Sequence, residues 1–165
     1  MKKNNLFRVV ATLLIVLTYC PLVSVAQATT KGLKDIYSGY FTMGVAVSPN
    51  ALKTDEAVLI RQQFGSMTAE NAMKMGPIHP RENFYNWAGG DSIAAFAKRN
   101  NMKLRGHCLV WHNQTPRWFF TDSSTVPAVQ VTKEQLLQRL KEHITAVVSR
   151  YKGTVDESVK NHRGV

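Results

Sequence analysis

Cysteine is scarce in this chain of 165 residues, which contains only Cys20 and Cys108. Cys20 lies in an N-terminal segment that we expect to be removed, so the mature protein would keep one thiol and form no intramolecular disulfide. Cys108 lies within an apolar run, where a single cysteine usually packs as a small hydrophobic side chain. We therefore expect no redox or nucleophilic chemistry at Cys108.

Acidic residues are also few, since 11 aspartates and glutamates stand against 21 lysines and arginines and the formal net charge is +10. A nucleic-acid-binding protein usually gathers its basic side chains into one patch or carries a recognisable module. Here the basic residues are scattered, so we attribute the charge to a solvated surface and expect no nucleic acid partner. The glycine-rich loop that binds phosphate at the start of a helix is absent as well, which disfavours phosphate ligands.

No apolar run reaches the ~20 residues that a membrane-spanning helix needs. The apolar segment Val9–Cys20 follows three basic residues and precedes the small-x-small sequence Ala26-Gln27-Ala28. This order is typical of a secretory signal peptide. We predict that residues 1–28 are such a signal and that the mature protein is secreted or periplasmic, without stable membrane insertion. A lipid anchor at Cys20 is disfavoured because the bulky Tyr19 precedes it.

The rest of the chain alternates between β-forming segments and amphipathic helices. Strands are predicted at 40–47, 65–71 and 103–112, and helices begin near Thr54, Asp91 and Thr132. Thr132 and Gln135 form a capping box at the start of the last helix. Regular alternation of this kind predicts parallel βαβ units, and therefore an α/β fold.

Polar and aromatic side chains follow two neighbouring strands of the predicted sheet. Parallel strands place their ligand-binding groups at their carboxyl ends, in open sheets and in barrels alike. Carboxylates and amides can hold hydroxyl groups, and indoles can cover the C–H faces of pyranose rings. We therefore expect a cleft for a hydroxyl-rich ligand, lined by Glu70, Asn71, Lys74, His107, Trp111 and Gln114.

Other readings of these side chains remain open at this point. His107 and His112 would face opposite sides of a strand, and a catalytic zinc ion needs three protein ligands, so we predict no metal site. Trp111 and Trp118 could belong to the core, where a buried indole needs a partner for its N–H. Glu70 could be an internal carboxylate with a partner. His112 is interpreted as a packing residue.

The segments "TAENAMK" and "RGHCLVWHNQTPRW" resemble the family 10 glycoside hydrolases, which are mainly endo-β-1,4-xylanases. "FYNWAGGDSIAAFAKRNNMKLRGH" and "HITAVVSRYKG" resemble the segments between and after these motifs, so the similarity covers approximately Tyr40 to Gly153. The resemblance implies that residues 29–153 are the N-terminal part of a (β/α)₈ TIM barrel, about three βα units. It also implies retaining hydrolysis of xylan by two glutamates without a cofactor.

The resemblance also implies roles for the cleft residues, with xylan or xylooligosaccharides as ligands. Glu70, Asn71 and Lys74 would hold the sugar just inside the non-reducing side of the cleavage point. The wall around the cleaved sugar would consist of His107, Trp111 and Gln114. Trp118 and His112 match the family pattern, but we assign no direct sugar contact to them.

The chain departs from the family pattern after Gly153. The family continues with a strand resembling "WDVVNE", whose last residue is the acid/base, whereas residues 154–165 read "TVDESVKNHRGV". We treat this segment as a divergent tail that lacks the fourth strand motif, and we do not assign Asp156 or Glu157 to catalysis. The nucleophile belongs to a later strand that this sequence does not contain, so no catalytic residue is assigned.

Two consequences are expected from this departure. Retaining hydrolysis needs two carboxyl groups about 5–5.5 Å apart, so this chain alone should not hydrolyse xylan. The alternative function is that of a non-catalytic carbohydrate-binding protein outside the cytoplasm that keeps the sugar-holding residues. The third strand should also lack a fourth neighbour, leaving exposed sheet edges on both sides.

Overall fold

The structure, a computed structural model, describes residues 31–122, 124–125 and 127–158. The predicted signal peptide at 1–28 and residues 159–165 of the predicted tail lie outside the described residues. Among the described residues, we find no helix with the length and apolar character needed to cross a membrane.

One or two helices separate successive strands of the main sheet in the described chain. The helices are α1 (Leu33–Ile36), α2 (Glu56–Gln63), α3 (Met75–Ile78), α4 (Ala88–Arg99) and α5 (Lys133–Tyr151). The strands are β1 (Gly44–Val47), β2 (Ser66–Ala69), β3 (Lys103–Gly106), β4 (Thr121–Asp122), β5 (Val129–Gln130) and β6 (Glu157–Ser158). Two short 3₁₀ turns span Ala51–Lys53 and Arg117–Phe119.

The main sheet has four parallel strands in the order β1-β2-β3-β6, so each strand pairs with the next one along the chain apart from the small β4–β5 hairpin. Val47 lies opposite Ala69, and Thr68 lies opposite Arg105. The prediction of parallel βαβ units is confirmed. This register brings the carboxyl ends of β1, β2 and β3 to the same end of the sheet, which is where a ligand site is expected in such folds.

The third strand ends earlier than predicted, at Gly106 and not at His112. Residues 107–116 belong to no strand or helix. An apolar composition alone does not extend a strand, because the backbone groups also need neighbours at the same level of the sheet. Here the paired residues of β2 reach only to Thr68 opposite Arg105, so the chain is free to turn away.

The expectation that β3 lacks a further neighbour is wrong, because β6 pairs with Arg105 and Gly106. Asp156 extends this contact: its amide donates to the carbonyl of Leu104 at 2.9 Å, and its Oδ2 accepts from the amide of Leu104 at 2.8 Å. Backbone groups at an open sheet edge can pair with almost any sequence. For this reason a tail without a run of β-formers still supplies a two-residue strand.

The capping box at the start of α5 is confirmed. The Thr132 hydroxyl accepts from the Gln135 amide at 3.2 Å, and the Thr132 amide donates to Gln135 Oε1 at 2.8 Å. The helix then runs to Tyr151, and the residues buried on its inner face are His143, Val147 and Tyr151.

Hydrogen bonds join α4 to α5. The Asp91 carboxylate of α4 accepts hydrogen bonds from Arg150 and from the Tyr151 hydroxyl of α5.

The core lies between the sheet and the helices. Its most deeply buried side chains include Met67 of β2, Leu104 of β3, Ile78 of α3 and Ile93 of α4, each at most 1% exposed. Cys108 is 2% exposed, and burial raises the pKa of its thiol, in agreement with the predicted packing role.

The substitution Leu104→Ala is expected to lower the free energy of unfolding by about 2–5 kcal/mol. Leu104 is fully buried in the sheet, so the truncated side chain would leave a cavity that the backbone pairing of β3 cannot close. Urea denaturation followed by circular dichroism measures the loss. Leu137→Ala is the matched control, because Leu137 of α5 is 53% exposed; equal losses in the two variants would contradict the placement of the core.

Candidate functional site

The carboxyl ends of β2 and β3 carry the polar side chains singled out in the sequence. Glu70 and Asn71 follow β2 directly, and the Glu70 amide donates to the Val47 carbonyl at 3.0 Å, which continues the ladder by one residue. His107 follows β3 directly. Because the two strands are parallel neighbours, these residues lie at the same end of the sheet.

Asn71 is the centre of a contact cluster formed with Lys74, Gln114 and Trp111, which we call the amide cluster. Asn71 Oδ1 accepts hydrogen bonds from Lys74 Nζ at 2.9 Å and from Gln114 Nε2 at 3.3 Å. Lys74 Nζ also lies 4.8 Å from the centre of the Trp111 ring. Both hydrogen bonds end on Oδ1, so neither uses the Asn71 Nδ2 hydrogens. The cluster joins the chain segment after β2 to the segment after β3, as predicted.

Lys74 is unusual for a lysine because it is only 9% exposed. A buried ammonium group is costly unless it is paired or hydrogen-bonded. Here an amide oxygen and the face of an indole surround it, and cation–π attraction contributes in such an arrangement. The result is a fixed positive charge at the base of the site.

His107 lies half-buried beside the amide cluster, with its ring centre 6.3 Å from that of Trp111. Burial lowers the pKa of His107, and the charges of Lys74 and Arg105 lower it further. The imidazole is therefore neutral at pH 7 and offers one donor and one acceptor nitrogen. Within the described chain, its buried Nδ1 has no hydrogen-bond partner.

Glu70 is exposed, so the alternative reading of it as an internal carboxylate is wrong. Within the described residues, the structure gives its side chain no hydrogen bond or ion pair, and it joins the site through its position next to Asn71. The exposed His112 packs against Trp111 in a T-shaped arrangement, with ring centres 5.3 Å apart.

The position of Gln114 depends on a close approach between two backbones. Gln114 has a positive φ of 60°, a left-handed conformation that is uncommon for a residue other than glycine. Its carbonyl oxygen lies so close to Gly76 of α3 that a Cβ atom there would meet it at 2.8 Å. Gly76 therefore allows the loop with Gln114 to lie against α3, where its amide reaches Asn71.

The substitution Gly76→Ala is expected to push this loop away, break the Gln114–Asn71 hydrogen bond and lower the free energy of unfolding by about 1–3 kcal/mol. Nuclear magnetic resonance (NMR) chemical shifts of the Asn71 and Gln114 side-chain amides, with a urea denaturation curve, measure the two effects. Gly39→Ala is the control, since nothing lies within 4 Å of a Cβ atom at Gly39. Unchanged amide shifts in the Gly76 variant would refute this account.

Trp118 packs beneath the site and does not line it. Its Nε1 donates to the His79 carbonyl at 3.1 Å, which gives the half-buried indole a hydrogen-bond partner. Arg139 of α5 donates to the carbonyls of Trp118 and Thr121 at 2.6 and 3.2 Å and forms an ion pair with Glu82 at 2.6 Å. These bonds fix the loop that follows Gln114.

A buried histidine pair lies under the site, and the sequence reasoning did not find it. His79 and His143 are 4% and 1% exposed, and their Nδ1 atoms lie 3.2 Å apart. His143 Nε2 lies 3.0 Å from the carbonyl oxygen of Leu109. One signal was available: position 143 falls on the apolar stripe of α5, where a polar residue must find a buried partner.

Comparison with known proteins decides the family. The family model described as glycosyl hydrolase family 10 matches residues 32–161 of this chain. The chain belongs to glycosyl hydrolase family 10. Family 10 domains are (β/α)₈ barrels, and the described sheet supplies four parallel strands of one.

Several curated proteins are similar to the chain in sequence. The endo-1,4-beta-xylanase/feruloyl esterase of Xylanibacter ruminicola is 49% identical over 132 residues, which is 79% of this chain and 18% of that protein. The beta-1,4-xylanase of Dictyoglomus thermophilum is 42% identical over 157 residues, covering 92% of this chain and 41% of that protein. The chain thus spans less than half of the length of these family 10 relatives.

Solved structures are similar to the chain in fold. A xylanase of Paenibacillus barcinonensis in complex with a conduramine derivative superposes with a TM-score of 0.72 at 41% identity, covering 78% of this chain and 38% of that chain. A mutant protein in complex with xylotriose superposes with a TM-score of 0.69, also at 41% identity, covering 75% of this chain and 37% of that chain.

Proposed function

We propose that this family 10 chain forms the sugar-holding part of an endo-1,4-β-xylanase, an enzyme that hydrolyses the β-1,4 bonds of xylan with retention of configuration. The amide cluster supports the proposal most directly, because it joins the carboxyl ends of two neighbouring barrel strands through contacts suited to a sugar. The relatives are named as xylanases, and a neighbouring structure contains xylotriose.

The chemistry of the cluster fits a xylose unit. Asn71 and Gln114 offer amide donors and acceptors, Lys74 adds a fixed cation, and Trp111 presents an indole beside them. Sugar hydroxyls both donate and accept, so they match a mixed set of donors and acceptors. Neutral His107 adds one nitrogen of each kind.

The roles of individual residues follow the family resemblance and remain proposals. Glu70, Asn71 and Lys74 would hold the sugar just inside the non-reducing side of the cleavage point. The sugar that is cleaved would lie against His107, Trp111 and Gln114. Contact between the two groups through Asn71 Oδ1 supports a single continuous sugar site.

Hydrolysis needs a second carboxyl group near the scissile bond, at about 5–5.5 Å from the first. At the cleft edge, within the described residues, Glu70 is the acid next to the amide cluster. Glu82 is engaged by Arg139, and Asp91 is engaged by Arg150. We therefore propose that the residues of this chain hold the sugar and that the acid/base and the nucleophile belong to other strands of the barrel.

The second candidate is a non-catalytic carbohydrate-binding protein, favoured by the presence of sugar-holding groups without a carboxylate pair. Calorimetric titration of the 165-residue chain with xylohexaose, followed by analysis of the products, separates the two. Binding without release of shorter sugars is expected for this chain alone. Addition of the remaining strands of a family 10 barrel should restore cleavage if the protein is a xylanase by function. No binding of xylohexaose, with maltohexaose as the control, would overturn both candidates.

We also propose that the mature protein acts outside the cytoplasm, because xylan is an extracellular polymer and residues 1–28 have the pattern of an export signal. N-terminal sequencing of the exported product should begin at Thr29. A product that retains Met1 and stays in the cytoplasm would contradict this proposal.

A further inference from the structure

Two buried histidines connect helix α5 to the loop after β3. His143 of α5 reaches the carbonyl of Leu109 with Nε2 at 3.0 Å and His79 with Nδ1 at 3.2 Å. The His79 ring is also stacked on Tyr85, with ring centres 3.9 Å apart. Both histidines are almost fully buried, so these polar contacts are shielded from water.

The partners determine where the hydrogen atoms lie. A carbonyl oxygen only accepts, so His143 Nε2 must carry a hydrogen. Burial lowers the pKa of both rings, and that of His79 falls to about 4, so both are neutral at pH 7. His143 Nδ1 is then an acceptor, and His79 Nδ1 is the donor to it. The chain of hydrogen bonds therefore has a single direction, from His79 through His143 to Leu109.

Leu109 lies at a critical place in the chain. It stands midway between His107 and Trp111, in a segment that belongs to no strand or helix. Backbone there has no sheet ladder to fix it, so an anchor must come from a side chain or another loop. The bond from His143 supplies one at the middle of the segment. A second tie lies nearby, because the His79 carbonyl accepts from Trp118 Nε1.

We propose that His143 is a positioning residue of the sugar site: by holding the Leu109 carbonyl, its Nε2–H sets the positions of His107 and Trp111 on either side. His143 touches no sugar in this account. The proposal rests on the proposed function only for its effect on sugar affinity, since the placement of His107 can be measured without any ligand.

Two substitutions separate positioning from simple core filling. In His143→Gln the side-chain amide nitrogen falls near the place of Nε2 and can still donate to Leu109. In His143→Asn the shorter side chain reaches only to the place of Nδ1, so it can accept from His79 but cannot reach Leu109. Both variants replace a buried ring with a smaller amide, and both should lose some thermal stability.

The test is an NMR titration of His107 together with calorimetric binding of xylohexaose. In His143→Asn the loop should open to water, so the pKa of His107 should rise towards its ordinary value, and affinity should fall by roughly tenfold. In His143→Gln the pKa of His107 should stay close to that of the unmodified chain, and the affinity should stay within about twofold of it, despite a lower melting temperature.

Equal shifts of the His107 pKa in the two variants, or no shift in His143→Asn, would overturn the proposal. If no chain binds xylohexaose, the proposed function fails while the His107 titration still decides the role of His143. If His143→Asn does not fold, His143→Met takes its place as a long side chain without an N–H donor. Failure of both to fold while His143→Gln folds would show that the bond serves stability, which would also overturn a positioning role.

Discussion

Lowering the pH from 7 to 4 is expected to cost this fold on the order of 3 kcal/mol of unfolding free energy, because histidines that are buried and neutral in the folded chain become protonated when the chain unfolds. Burial and then the neighbouring His143 ring lower the pKa of His79 to about 4, against a smaller opposing effect of Glu142. An unfolded histidine titrates near 6.5, so between about 6.5 and 4 the unfolded chain binds more protons than the folded chain. The unfolding free energy is therefore not reduced by these histidines above about pH 6.5, and it falls as the pH drops through this window.

Urea denaturation at intervals from pH 7 to pH 4 measures the slope. His143→Gln should reduce it, because one buried titrating ring is lost and His79 no longer has that ring beside it. His112→Gln is the matched control, since His112 is exposed. His107, whose pKa is also lowered, adds a contribution of the same sign in all three chains. An equal slope in the unmodified chain and in His143→Gln would contradict the assignment.

The titration of the Asp91 carboxylate contributes little to the change in unfolding free energy between pH 7 and pH 4. The hydrogen bond from Arg150 lowers the pKa of Asp91 below that of an ordinary carboxyl group. Its stabilising contribution is present above the ordinary carboxyl pKa and is lost only as the pH falls below that value. The loss therefore begins at about pH 4, where the histidine window ends.

The substitution Lys74→Met is expected to weaken the binding of xylooligosaccharides by about 10–100-fold, the equivalent of one hydrogen bond to a charged group. Methionine keeps much of the length of lysine but removes the charge, the bond to Asn71 Oδ1 and the cation over Trp111. The Asn71 amide would then keep only its hydrogen bond from Gln114 at 3.3 Å, so the contact between the two halves of the site would be weaker. Calorimetric titration with xylohexaose measures the loss.

The control for this prediction is Lys98→Met, on the exposed face of α4. A second measurement on Lys74→Met needs no ligand. The charge of Lys74 is one cause of the lowered pKa of His107, so this pKa should rise in Lys74→Met. Equal affinities in the two methionine variants would show that Lys74 does not hold the sugar.

The features that the sequence predicted well are the local elements and the pairing of successive strands that follows from their order. Alternating patterns located β1, β2 and β3, and parallel pairing then brought Asn71 and Gln114 within hydrogen-bond distance. The capping box at Thr132 depends on two residues three positions apart, so the local sequence is sufficient to predict it.

The features that were missed depend on distant parts of the chain. His79 and His143 are 64 residues apart, and no local pattern shows that they meet. The strand β6 arises from backbone pairing at an open edge, to which side-chain propensities contribute little. The path after Gly106 depends on where β2 stops, and the close approach of the Gln114 carbonyl to α3 depends on the absence of a side chain at Gly76.

The strand order β1-β2-β3-β6 bears on how the chain assembles as it emerges, N-terminus first, from a ribosome or a translocation pore. Each new βα unit finds its partner already present, so docking proceeds in the direction of emergence and no early segment waits for a late one to pair within the described sheet. Nearest-neighbour pairing of this kind keeps the loops to be closed short and favours rapid assembly. The most recently added strand keeps unpaired backbone groups until the next unit pairs with it. A pause in chain synthesis or export at that stage therefore carries the greatest risk of intermolecular association.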